Sequence, residues 1–329
     1  MITRRSLLAS TAGLSLSSRL AFGQAWPSRA ITLVVPFAAG GTTDIIARMV
    51  GEVLGQRLGQ SMVIENRSGA GGALGTDAVV RAPADGYTLL HATAGTLTYN
   101  PHVVRKPGAE PQHPLSILTP IGQTFTTDFV VIVRKGFPAT SLAEFIAHLR
   151  AKPGEVTFGS GGLGSGAHIC TELFMERTGT RMRHIVYRGS GPALNDLAAG
   201  QIDVIFDAIP SALGQIEGGA VRVLATTGPA RSKILPEIGT VAELAIPDYA
   251  VTAWGGLLGP KGLRADIVAK ISAALAEALG RTEVQARFLK IGAEVLIETS
   301  EQMTRRIETE FPLWGGIIER ANVVEKQAN

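Results

Sequence analysis

Short apolar runs of strand length alternate along this chain with longer stretches whose apolar residues recur every three or four positions. "ITLVVPF" reads as a strand and "TDIIARMVGEVLGQRLG" as a helix. "SMVIENR", "GGALGTDAVVRA" and "GYTLLHAT" continue as strand, helix and strand. That βαβαβ order predicts a parallel sheet with helices on its faces. Residues 98–120 interrupt the pattern with Pro101, Pro107, Pro111, Pro114 and Pro120. A second alternating series opens at "FVVIVRK". It runs through the helix "SLAEFIAHLRA", with Ser141 and Glu144 spaced as a capping box. The strand "VTFGS", the helix "HICTELFMERTG", the strand "HIVYRG", the helix "GPALNDLAAG" and the strands "IDVIFDA" and "VRVLATTG" follow. The tail adds "YAVTAWGGLLGP" and "GAEVLIE" as strands, with "RADIVAKISAALAEALG" and "SEQMTRRIETEF" as helices.

A chain of 329 residues suits two domains. The pattern predicts an α/β fold of two domains, each a mostly parallel sheet flanked by helices, the second inserted into the first. Residues 24–125 plus 250–329 form domain 1, and 126–249 form domain 2. There is no internal repeat, low-complexity tract or heptad array.

The opening "MITRRSLLASTAGLSLSSRLAFG" lies outside this alternation. Arg4 and Arg5 precede a short apolar run and then small residues, the pattern of a signal peptide over residues 1–23. The run is too short to span a bilayer. Both a Sec and a twin-arginine route fit, with cleavage near Gly23 or Gln24, and the expected location is periplasmic. The formal charge of +3 resides in this segment, which holds Arg4, Arg5 and Arg19 and no acid. The remaining chain is neutral, so the basic balance implies no nucleic acid partner. Aromatic content of 5% argues against a stacking platform for bases or sugars. Cys170, the only cysteine, reads as a small buried residue.

The candidate chemistry lies in glycine. "FGSGGLGSGAH" follows a strand and precedes a helix, and Gly159, Gly161 and Gly164 fit G-x-G-x-x-G. A dinucleotide site also needs an acidic residue about 20 positions on. There the chain has Tyr187 and Arg188. The serines form no G-x-S-x-G elbow, the P-loop lysine is absent, and the six histidines have no metal-ligand spacing. No catalytic residue, metal or cofactor is expected. What remains is a pair: "VVPFAAGGTTD" and "TFGSGGLGSGAH" each strip side chains from the start of a helix. Exposed N–H groups and the positive helix end bind an anion without any cationic side chain. Two such loops across a cleft suit the two ends of a small diacid.

These residues resemble the Bug or TctC family, the extracytoplasmic substrate-binding proteins of tripartite tricarboxylate transport systems. "WPSRAITLVVPFAAGGTTDIIAR", "VIENRSGAGGALGTDAVVRAPADGYTLL", "GTLTYNP", "VTFGSGGLGSGAH", "VYRGSGPALNDLAAGQIDVIFDAIPSA", "VRVLATTG" and "TAWGGLLGP" carry the likeness in order. The resemblance implies a two-domain periplasmic binding fold, type II, that closes like a flytrap on a small organic acid or amino acid. It implies ligand contacts from Phe37, Ala39, Gly40, Gly41 and Thr42 in the first loop. In the second it implies Ser160, Gly164, Ser165 and His168, with Asp207 at the cleft. Asp207 could instead cap the helix that follows it. Asp44 is expected to stabilise its helix start. Thr96 and Tyr187 are further cleft candidates. Pro312 and Gly315–Gly316 depart from the family pattern, and Pro312 is expected to break or kink the last helix.

The reading is a receptor that hands a small carboxylate to a membrane transporter or a sensor, working as a monomer without chemical conversion. An exported enzyme acting on an organic acid in the same cleft is the alternative, and a nucleophile–base pair would mark it. An interaction module without a small ligand is the third.

Overall fold

A computed structural model describes residues 26–105, 109–321 and 323. The leader, residues 1–23, and Pro107 lie outside the described residues. The first series forms β1 (Ile31–Val35), α1 (Thr42–Leu58), β2 (Met62–Asn66), α2 (Ala73–Val80) and β3 (Thr88–Thr93). A π-helical turn, Gly95–Tyr99, runs into α3 (Asn100–Val103). The chain then makes β4 (Leu118–Arg134), α4 (Leu142–Ala151), β5 (Thr157–Ser160) and α5 (Gly166–Thr178). Next come β6 (Arg183–Val186), α6 (Ser190–Ala198), β7 (Val204–Ala208), α7 (Ile209–Glu217), β8 (Val221–Thr226) and α8 (Val241–Leu244). It closes with β9 (Thr252–Pro260), α9 (Ala265–Leu279), α10 (Thr282–Lys290), β10 (Glu294–Thr299) and α11 (Ser300–Arg320).

The strands follow the order β2-β1-β3-β9-β4-β7-β5-β6, with β10 and β8 also on β4. Three strands run parallel at each end: β2, β1 and β3 in the first half, and β7, β5 and β6 in the second. The middle is antiparallel. β4 pairs with β9 from Leu118 to Asp128, then with β7 from Phe129 to Val133. Each sheet is therefore mixed, because β4 carries the chain from the first half to the second while β9 brings it back. The strand β4 begins well before the "FVVIVRK" run. Irregularities between Pro120 and Gly122, and between Gln123 and Phe125, disrupt its alternation.

Each half has its own core. In the second half Phe145, Phe158, Phe174 and Phe206 pack with Val131 and Val133 of β4. In the first, Leu33, Ile46, Leu54, Ile271 and Leu275 lock α1 and α9 onto the sheet. Cys170 is fully buried, its Sγ 3.2 Å from the Tyr249 hydroxyl, and burial pushes the thiol up to about 12. Ser141 accepts from the Glu144 N–H as a cap. The Glu144 carboxylate goes to the N–H and hydroxyl of Thr140, one residue earlier than a capping box requires.

The helix α11 continues through Pro312 without a break. Pro312 lies on its exposed face, where water can reach the carbonyl freed on Glu308. On the buried side Phe311 packs against His102 and His113, and Trp314 against Tyr99. Gly315 is required by contact: a Cβ there would stand 2.6 Å from the His102 ring. Packing outweighs the local preference of both residues.

Candidate functional site

Between the halves lies a cavity of about 70 Å³, measured to the centres of water-sized spheres. The first residues of five helical segments line it. Gly41, Thr42 and Thr43 open α1, and Ala94 and Gly95 open the π turn. Ser165, Gly166 and Ala167 open α5, Ser190 opens α6, and Ala208 caps α7. No Lys, Arg or His side chain among the described residues lines the cavity. Helix starts carry N–H groups without intrahelical acceptors and a partial positive charge, so five of them make a site for negative charge.

The helix starts meet across the cleft. A Cβ on Gly41 would lie 3.6 Å from the Ser190 Cβ, and one on Gly95 would lie 2.9 Å from the Gly166 N. The Thr42 hydroxyl donates to Ser211 Oγ at 3.0 Å, and the Ser211 N–H donates back to Thr42 Oγ1 at 3.2 Å. Ala38 N–H donates to the Arg188 carbonyl at 3.0 Å. On the other flank Asn100 Nδ2 donates to the Leu163 carbonyl at 2.9 Å. The halves are closed on each other.

Among the described residues Asp207 is the one carboxylate in the wall, and it is 3% exposed. Its oxygens accept from the hydroxyls of Ser190 and Ser211, each at 2.7 Å. Burial pushes the carboxyl up to about 6, against the lowering pull of both serines. It does not cap α7, whose N-cap is Ala208 without a side-chain bond.

Of the residues read from the sequence, Phe37, Gly41, Thr42, Ser165 and Asp207 line the cavity together. The others do not. Ala39 and Gly40 are exposed beside a separate depression formed with Gly191, Pro192 and Asn195. Asp44 lies behind the first loop. It accepts from Gly40 N–H at 3.0 Å, from Asn66 Nδ2 at 2.9 Å and from Arg48 through Nε and Nη2. Burial alone would raise this carboxyl, but those hydrogen bonds hold it below the usual carboxylate value. Ser160 and His168 lie behind the second loop. Gly164 N–H donates to His168 Nδ1 at 3.1 Å, so that nitrogen carries no proton. Ser160 Oγ is 2.6 Å from His184 Nε2, and the rings of Phe158, His184 and His168 stack in series. Burial pushes His184 down to about 4. Gly164 takes φ +71 against Asn100. Thr96 folds its hydroxyl back onto the N–H and carbonyl of Thr93, and Tyr187 donates to Asp196 at 2.7 Å.

The sequence reading missed Thr43, Thr93, Ala94, Gly95, Gly161, Gly166, Ala167, Ser190 and Ala208, and also the apolar wall. Ser190 had a visible signal in "VYRGSGPA", a third glycine-bearing strand-to-helix turn. The wall of Tyr99, Phe125, Phe129, Ala253 and Trp254 had none, because it assembles from separate strands and the π turn.

With this geometry in view, the comparisons with known proteins are consistent. The model of the tripartite tricarboxylate transporter family receptor matches residues 46–323. The chain is similar to the protein BugT of Bordetella pertussis strain Tohama I. They are 36% identical over 298 residues, covering 89% of each chain. A solved structure described as that of a periplasmic transporter superposes with a TM-score of 0.87 at 38% identity. The match covers 91% of this chain and 99% of the other. The R. palustris protein Rpa4515 with adipate superposes with a TM-score of 0.86 at 36% identity, covering 90% and 98%.

Proposed function

The chain belongs to the family of tripartite tricarboxylate transporter receptors, and from that premise we propose that it captures a small carboxylate in the cavity between its halves and carries it outside the cytoplasm. The observation that carries this reading is the ring of five helix starts around a cavity lined by no cationic side chain among the described residues. Each dipole end contributes about 0.3–1 kcal/mol, up to ~2 when partly buried. Hydrogen bonds to a charged group add roughly 1.5–3 kcal/mol each. A relative binding adipate agrees with this chemistry. The ligand contacts in this reading are Phe37, Gly41, Thr42, Ser165 and Asp207, joined by Thr43, Gly95, Gly166, Ala167 and Ser190.

Binding then follows the flytrap order of capture in the open cleft and closure about two crossings of the chain. We place them at residues 128–129 and 251–252. In support, β4 exchanges β9 for β7 at the first, and β9 begins at the second. The closed form is sealed by the Thr42–Ser211 and Asn100–Leu163 bonds, and the loaded receptor delivers its ligand to a membrane transporter or sensor.

One contact speaks to the enzyme alternative, the Ser160–His184 pair at 2.6 Å. Ser160 is 1% exposed and does not line the cavity. Its hydroxyl bonds Gly162 of its own loop, so the pair fits a loop brace. The test is a thermal-shift screen of the protein against mono-, di- and tricarboxylates, amino acids and dinucleotides. A carboxylate at a hundredfold excess over Kd adds about 2.7 kcal/mol of stability. A shift with dinucleotides alone, or turnover of a carboxylate, overturns the reading.

A further inference from the structure

The chemistry of the cavity wall is unevenly distributed. Most of its polar groups cluster at the helix starts, and apart from the hydroxyls of Thr93 and Tyr99 the wall between them is carbon. Aromatic residues make up 5% of the chain, yet five of them line this one cavity: Phe37, Tyr99, Phe125, Phe129 and Trp254. The indole N–H of Trp254 is turned to Glu310 Oε2 at 2.8 Å, so that residue offers the cavity only ring carbon. Ala253 adds a methyl.

The polar side chains in the wall are largely committed to each other. Thr42 Oγ1 both donates to and accepts from Ser211. The Ser190 proton goes to Asp207 Oδ1, and Asp207 Oδ2 accepts from Ser211. Thr43 differs. It is 6% exposed, lines the cavity, and its hydroxyl has no hydrogen-bond partner among the described residues. It belongs to the start of α1, beside Gly41 and Thr42. Hydrogen-bonding capacity is thus concentrated where helices begin, and the side of the cavity formed by Phe37, Phe125, Phe129 and Ala253 has nothing to give a polar atom.

We infer that this cavity selects a carboxylate whose body is unsubstituted hydrocarbon, with polar atoms only at its ends, and discriminates against acids of the same length that carry a hydroxyl on the body. The inference rests on the carboxylate-receptor reading. The carboxylate anchors at the helix starts, and the methylenes lie against the Phe37, Phe125 and Phe129 rings and Ala253. A mid-chain hydroxyl placed there loses its water and gains no partner. That loss corresponds to roughly ten- to hundredfold weaker binding.

The experiment is calorimetric titration of the protein with matched acids: glutarate against 3-hydroxyglutarate, and adipate against 3-hydroxyadipate. Citrate, malate, aspartate and glutamate complete the panel. The expected result is that an unsubstituted acid binds at least tenfold more tightly than its hydroxylated partner. Equal or tighter binding of the hydroxylated partner overturns the inference. So does binding confined to citrate, malate or the amino acids, and in both cases the carboxylate reading survives. No binding by any acid in the panel overturns both.

Discussion

The two glycine-rich loops look alike in sequence, and each ends at a helix start lining the same cavity. They are held by different chemistry. The first, residues 36–41, is tied by a charged clamp that reaches the surface. Asp44 gathers Gly40 N–H, Asn66 and the half-exposed Arg48, and Asn66 also donates to the Phe37 carbonyl at 3.0 Å. The second, residues 160–166, is braced by an imidazole stack in which the buried His168 receives Gly164 N–H and the half-buried His184 meets Ser160. The motif specifies a turn without side chains and leaves open what fixes it. The difference makes the two loops separable by experiment.

The largest effect is expected at the second loop. His168 is 1% exposed and lies against Phe158 and His184. His168→Ala removes a stacked ring and strands the Gly164 N–H in the interior. The cost should be about 3–5 kcal/mol in denaturant unfolding. A loss under 1 kcal/mol would mean that the stack holds nothing in place.

Acid should separate the loops next. His184 has an ordinary value of 6.5 and is pushed down to about 4 by burial. Between those values the unfolded chain binds the proton and the folded protein does not. The stability this brace supplies is therefore present above pH 6.5 and lost as pH falls toward 4, by about 2–3 kcal/mol. Asp44 is held below 3.8, so its clamp keeps its contribution through that window and loses it only at lower pH. Asp207, raised to about 6, works the opposite way. Its contribution is full below 3.8 and lost as pH rises through 6, so the total curve is flattened. The difference between the parent protein and His184→Gln isolates the imidazole. That difference should shrink as pH falls from 6.5 to 4, and a constant difference would reject the assignment.

Breaking the charged clamp should cost less. Asp44→Ala leaves Gly40 N–H and the Asn66 amide short of an acceptor, while the half-exposed Arg48 turns to water. The expected loss is about 2 kcal/mol, visible as a lower denaturant midpoint with an unchanged slope. A loss matching that of His168→Ala would erase the contrast between the loops.

These braces also mark the limit of what the sequence made legible. Alternation and periodicity located β1, α1, β3, α5 and β7, since apolar spacing and a buried face are the same fact. Glycine marked two of the helix starts at the cavity, because Gly40 before α1, and Gly162 and Gly164 before α5, take a positive φ that favours glycine. Asp44 and His168 were visible as residues near the loops, but a side chain that supports a turn and one that touches a ligand have the same spacing. The long strand β4 was hidden by Pro120 and its irregular register, and α10 by its brevity. The carbon wall was invisible, because Phe37, Phe125, Phe129 and Trp254 come from separate loops and strands that meet only in the folded chain.

The smallest effect tests whether the loops differ in closure as well as in support. Gly40 has φ +83, and a Cβ there would meet nothing within 4 Å. Gly164 has φ +71, and its Cβ would stand 2.6 Å from the Asn100 Cα, a backbone atom of the opposite half. The left-handed conformation costs a non-glycine residue about 1 kcal/mol at either site. Gly40→Ala should therefore lower stability by about that amount and leave ligand affinity within roughly twofold, about 0.4 kcal/mol, since the added Cβ meets nothing. On the flytrap reading proposed above, Gly164→Ala carries the same strain in the open, ligand-free protein and adds a clash only when the halves meet. Its stability loss should resemble that of Gly40→Ala, while its affinity falls by at least tenfold on the scale of about 1.4 kcal/mol. Equal affinity losses in the two variants would show that Gly164 and Asn100 do not meet during capture. A large loss in Gly40→Ala alone would move the grip to the exposed side of the first loop, toward Ala39 and Gly191.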